Sequence, residues 1–139
     1  MTTSKRVRNG FTLVELTVVI LIIGVIATIA APKFFDSLTD AQDKSVKQSL
    51  QVIRDGIELF KANNSGYPGE LGTDVDLKSD LANFIRNDFP ECQVGLKDAT
   101  VKIETTGNPL SGVIDDSTSW IYDNVSGEFR INQTAYGTY

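Results

Sequence analysis

The sequence predicts an α+β protein: a long N-terminal α-helical spine, apolar in its first half and amphipathic in its second, with a small antiparallel β-sheet packed on its outer half. Three observations lead there. Residues 11–31, FTLVELTVVILIIGVIATIAA, form an apolar run with a single charge, Glu15. Beyond it, apolar side chains recur at helical spacing, and after residue 99 short runs alternate with the period of a strand between turn residues.

The leader, residues 1–10, is MTTSKRVRNG and carries Lys5, Arg6 and Arg8. The 21 residues that follow span about 31 Å as a helix, close to the ~30 Å hydrocarbon core of a bilayer. Positive charge ahead of this segment holds the N-terminus on the cytoplasmic side and sends the remainder across. Glu15 is the anomaly, because an acidic side chain costs roughly 2.5–3.5 kcal/mol at the centre of a membrane helix and so implies a function and a partner.

Val46, Leu50, Ile53, Ile57 and Phe60 then fall on one helical face, with Lys44, Lys47, Gln51, Arg54 and Glu58 mainly on the others. Asn63-Asn64-Ser65-Gly66, before Tyr67-Pro68-Gly69, is a cluster of stop and turn signals. One helix from Phe11 to Asn63 results, roughly 80 Å long. Gly24, a weak helix former, and Pro32, which lacks an amide donor, predict a kink or local melting between them. Leu77, Leu81, Phe84 and Ile85 predict a short helix closed by Pro90. Ala99–Glu104, Ser119–Asp123 and Glu128–Asn132 read as strands, the last two a hairpin about the turn Asn124-Val125-Ser126-Gly127. The expected organisation is therefore a leader at 1–10, a transmembrane and assembly helix at 11–31, an amphipathic continuation at 32–63 and a small α+β domain at 64–139.

Composition narrows the function. The 139 residues have room for one modest domain plus a membrane segment. Removal of Lys5, Arg6 and Arg8 from the 13 basic residues leaves 10 against 18 acidic ones, a net charge of −8, and no basic run follows the leader, so no nucleic-acid partner is expected. Histidine is absent and Cys92 is the lone cysteine. That removes His-dependent acid–base chemistry, Cys–His pairs, the usual zinc sets and an internal disulfide. Cys92 reads as a small buried residue.

The N-terminal segment has three readings. A secretory signal peptide would be cut after Ala31, but Pro32 is poorly accepted there and Glu15 interrupts the apolar region. A plain single-pass anchor leaves Glu15 unexplained. The junction Arg8-Asn9-Gly10-Phe11-Thr12-Leu13-Val14-Glu15-Leu16 instead resembles the class III leader of type IV pilins and pseudopilins, a short basic leader ending in Gly, then Phe and a T-L-hydrophobic-E-L run. The resemblance implies cleavage by prepilin peptidase between Gly10 and Phe11 and N-methylation of Phe11. Gly10, without a Cβ, permits close approach of the peptidase to the backbone. It also implies that Glu15 pairs with the Phe11 amine of a neighbouring subunit. Such a pair acts mainly as a register device, since a misdocked subunit leaves both charges buried and unpaired. The family carries a proline at the place of Pro32, where the helix loosens during assembly, and an antiparallel sheet on the outer half of its helix.

The resemblance is strongest over Gly10–Ala31. The missing cysteine-closed C-terminal loop, and the junction Glu58-Leu-Phe-Lys-Ala-Asn-Asn-Ser-Gly-Tyr67-Pro68, lean toward the major, G-type pseudopilins of type II secretion. These resemble one another in a calcium site near the C-terminus. Here the candidate ligands are Asp115, Asp116 and Asp123, whose spacing matches no strict motif. No cofactor is required, and calcium is an optional ligand. The implied partners are further copies of the chain in a helical filament, prepilin peptidase, an inner-membrane assembly platform and the membrane itself. The implied location is a single pass through the bacterial inner membrane with the domain periplasmic, then a periplasmic or cell-surface filament. A pilin serving adhesion, motility or DNA uptake is the alternative within the family. Outside it stand an anchored periplasmic enzyme, for which no nucleophile-elbow, phosphate-cradling or paired-carboxylate motif is legible, and an anchored binding module.

Overall fold

The computed structural model describes residues 10–136; Lys5, Arg6, Arg8 and the rest of the leader before Gly10 lie outside the described residues. Two compact units are present, one ending at Thr39 and the other beginning at Asp40. Helix α1, Leu13–Asn63, contributes residues to both.

In the first unit every described residue is exposed. The chain is helical from Leu13 onward, and its hydroxyls fold back onto the helix, Thr28 Oγ1 donating to Val25 O at 2.7 Å and Ser37 Oγ to Lys33 O at 2.9 Å. In the single chain α1 continues through both Gly24 and Pro32, the two residues at which the sequence predicts a kink or local melting. One missing amide donor does not outweigh continuous helical hydrogen bonding on either side of it.

The second unit holds the core. Val46, Leu50, Ile53 and Ile57 are buried as their spacing requires, and Phe60 is partly buried, edge-on to Phe84 with ring centroids 5.6 Å apart. α1 ends where Asn63 and Asn64 turn their amides back to Leu59 O and Phe60 O at 2.8 and 3.0 Å. Helix α2, Asp74–Leu81, starts at Thr73, whose hydroxyl accepts from Asp76 N, and carries an i,i+4 pair, Lys78–Asp74, at 2.8 Å. It stops earlier than the apolar spacing predicts. Phe84 N and Ile85 N both donate to Leu81 O at 2.9 Å, and this tight turn drops Ile85 onto Gly56. A Cβ on Gly56 would stand 3.1 Å from Ile85 Cγ1, so the approach uses the missing side chain.

Three strands follow, β1 Val101–Glu104, β2 Trp120–Asp123 and β3 Phe129–Ile131, in the order β1-β2-β3. The hairpin is as expected, β2 antiparallel to β3 with Trp120 opposite Ile131. The sheet as a whole is mixed, not antiparallel: β1 runs parallel to β2, Val101 beside Trp120 and Glu104 beside Asp123. A four-residue turn can only reverse the chain, whereas residues 105–119 are long enough to return it to the start of a parallel neighbour. Trp120, Tyr122, Phe129 and Ile131 join the α1 face in one cluster with Leu77, Leu81 and the buried Cys92. The polar tips are satisfied, Tyr122 OH donating to Pro68 O and Trp120 Nε1 to Pro90 O, each at 3.1 Å. β2 is buried on both faces because the 3₁₀ turn at Leu110–Gly112 lies against it.

Candidate functional site

The chemistry singled out by sequence sits at the first turn of α1. Thr12 precedes the helix, and its hydroxyl accepts from Glu15 N at 3.2 Å. Glu15 Oε2 in return accepts from Thr12 N and Thr12 Oγ1, both at 2.9 Å. This is a reciprocal capping box: a hydroxyl cap and an acidic residue three positions on, each satisfying an orphan amide of the other. Thr12 is thus a partner for Glu15 within its own chain, beside the one expected in another subunit, and Thr-x-x-Glu is the legible signature of such a cap. The carboxylate also lies at the positive end of the helix dipole. Its second oxygen, Oε1, makes no hydrogen bond among the described residues.

Gly10 and Phe11 lie just ahead of the cap, and Phe11 is exposed. A Cβ on Gly10 would meet nothing within 4 Å, and the same holds for Gly24. The fold of the single chain therefore places no steric demand for glycine at either position.

The three C-terminal carboxylates proposed as metal ligands are placed in separate hydrogen-bond sets, and among the described residues no group of three or more metal-ligating side chains comes together. Asp115 accepts from Ser117 Oγ at 2.7 Å, Asn132 Nδ2 at 2.8 Å and Lys102 Nζ at 2.9 Å; these hold its carboxyl well below the usual range. Asp116, at φ 58°, points instead to Thr134, accepting from its amide at 2.7 Å and from its hydroxyl, and these bonds likewise lower its pKa. Asp123 is wholly buried and organises two loops: Gly107 N and Val125 N each reach it at 2.7 Å and Ser126 N at 3.0 Å. The partners that reach these carboxylates are hydroxyls, amides and the Lys102 ammonium of the chain itself. Asn132, expected from sequence only as the end of a strand, is the buried hub of the Asp115 loop, its Oδ1 accepting from Asp115 N at 3.0 Å.

Comparison with known proteins places these features among relatives. Residues 5–31 match the family described as the prokaryotic N-terminal methylation motif. The chain is 31% identical over 85 residues to the type II secretion system core protein G of Klebsiella pneumoniae, covering 60% of this chain and 61% of that one. It is 27% identical over 109 residues to the protein of the same name from Pseudomonas aeruginosa, covering 76% and 72%. Against the type IV narrow pilus major component PilA5 of Thermus thermophilus it is 36% identical over 60 residues, covering 43% and 52%. The chain thus spans between about half and three quarters of the length of these relatives. No solved structure gives a significant match.

Proposed function

We propose that this chain, whose residues 5–31 match the prokaryotic N-terminal methylation motif and whose relatives include type II secretion core proteins, is the structural subunit of a helical filament, a major pseudopilin of type II protein secretion. The observation that carries the reading is the first half of α1: a helix long and apolar enough to cross a membrane, none of it buried in its own chain, with one carboxylate in its first turn. Such a helix is stable in water only if something else covers it, and lipid before assembly followed by neighbouring helices after it provides both covers.

In this reading prepilin peptidase cuts between Gly10 and Phe11, and the Phe11 amine is methylated. Glu15 holds its own helix start with Oε2 and offers Oε1 to the Phe11 amine of the next subunit. The cap fixes the carboxylate in place, so docking orders few additional groups. Out of register, the amine and the carboxylate are both desolvated without a partner, which is the costly state. Gly24 and Pro32 mark where α1 yields when subunits pack. The acidic domain stays outside the bundle of helices. The role is structural, and no step of it needs catalysis, nucleic acid or a cofactor.

The Thermus thermophilus relative, named as a pilus component, supports a second reading within the family, a pilus subunit. Loss of the gene separates the two: failure to release extracellular proteins marks the secretion subunit, and loss of surface fibres with secretion intact marks the pilin. The founding test is the intact mass and N-terminal sequence of the protein from native membranes. A chain beginning at Phe11 and heavier by one methyl group is expected. A start near Pro32, or an uncut Met1, overturns the proposal.

A further inference from the structure

The last part of the first unit has an apolar face that the membrane span does not account for. The 21 residues of 11–31 already fill the hydrocarbon thickness, at about 1.5 Å each over ~30 Å. Just past them Phe34, Phe35 and Leu38 are 63%, 65% and 46% exposed. At 100° per residue these three share one arc of α1, while Lys33, Asp36, Ser37 and Asp40 take the opposite one. The segment is therefore amphipathic where the span before it is apolar all round. Phe34 and Phe35 meet only each other among the aromatic contacts, edge-on at 6.2 Å. The Lys33 ammonium makes no ion pair among the described residues.

A one-sided helix that begins where the hydrocarbon ends, with two aromatic rings and a lysine, fits the boundary between acyl chains and headgroups. We infer that Phe34, Phe35 and Leu38 form an interfacial collar on the bilayer face from which the domain emerges, with Lys33 reaching the lipid phosphates, and that this collar sets the depth of the membrane-resident subunit. Rings at this level resist both withdrawal into water and descent into the core. The lysine stem lies along the acyl boundary while its ammonium stays with the headgroups. Pro32, immediately before the collar, is the place where a modest bend would turn its apolar face onto the surface. The inference rests on the membrane-resident reading above and goes beyond it in assigning these residues a lipid surface.

The test places single indoles in the full chain, reconstituted into phosphatidylethanolamine–phosphatidylglycerol vesicles containing lipids brominated either near the headgroup or near the chain end. Wild type supplies the baseline, because its one tryptophan, Trp120, is buried in the domain core. Ile23→Trp reports the span and Phe34→Trp the collar. The expected result is that Ile23→Trp is quenched by the deep bromines, while Phe34→Trp loses about half of its added emission to the shallow ones and little to the deep ones. If Ile23→Trp is quenched from the deep position and Phe34→Trp is unquenched, or quenched mainly from the deep position, the collar is overturned and the membrane reading survives. Unquenched Phe34→Trp whose emission shifts blue as filaments form would show that a second copy, not lipid, covers this face. If Ile23→Trp itself is unquenched by both lipids, the membrane reading falls and the collar falls with it.

Discussion

Ile22 and Ile53 sit on the same helix, yet one is 53% exposed and the other fully buried. From Leu13 to Thr39 α1 has no covered face at all; from Val46 to Ile57 it buries one stripe under α2 and the sheet. The first region is apolar all round and can be satisfied only by something outside the chain. The second is striped, and its own domain satisfies it. Folding and assembly are therefore separated along a single element: substitutions in the striped region should act on domain stability, and those in the unstriped region on insertion and polymerisation.

The sharpest break in that comparison is Glu15→Ala. It should leave domain unfolding unchanged while reducing filament yield roughly a hundredfold to a few thousandfold, because a neighbour's amine left buried without its partner costs about 3–5 kcal/mol. Filament yield beside a thermal melt checks both halves, and wild-type yield would remove Glu15 from assembly. Next comes one substitution placed in both regions. Ile53→Ala should cost the domain about 2–5 kcal/mol in chemical denaturation, whereas Ile22→Ala should leave the same midpoint where it was. A matching loss from Ile22→Ala would mean that the two regions are not separable.

Asp123→Ala sharpens the domain side, since it strands Gly107 N, Val125 N and Ser126 N, and a loss of about 1–3 kcal/mol is expected in the same assay. A smaller effect comes from acid. Asp115, held low by Ser117, Asn132 and Lys102, and Asp116, held low by Thr134, have pKa values below those of the unfolded chain. Their contribution is thus fully present above the unfolded carboxylate range, about pH 4, and is lost as pH falls toward the folded values. Domain melts should stay level from neutral pH down to about pH 4 and decline below it, and a decline that Asp115→Asn leaves unaltered would locate the acid response elsewhere. Smallest is Gly24→Ala. With nothing near the added Cβ, it should leave the domain melt untouched and firm the free helix by about 1 kcal/mol, so any loss of filaments would come from packing between copies.

Whatever depends on spacing along the chain was legible before the structure. The apolar run with Glu15, the stripe from Val46 to Phe60, the stop at Asn63 and the hairpin about residues 124–127 all follow from the period of a helix or strand and from local turn chemistry. The Thr12–Glu15 cap belongs to that class as well, through its Thr-x-x-Glu spacing. The parallel placement of β1, the early end of α2 over Gly56 and the uses of Asp115, Asp116 and Asp123 did not. Each carboxylate has partners supplied by a loop that is distant in sequence or shaped only in the fold: Asn132 for Asp115, Thr134 for Asp116, Gly107 for Asp123. Sequence periodicity decides which face an element buries, because that is a local property of its backbone. Which amide meets which carboxylate is decided only when loops close and bring together groups that no spacing rule relates.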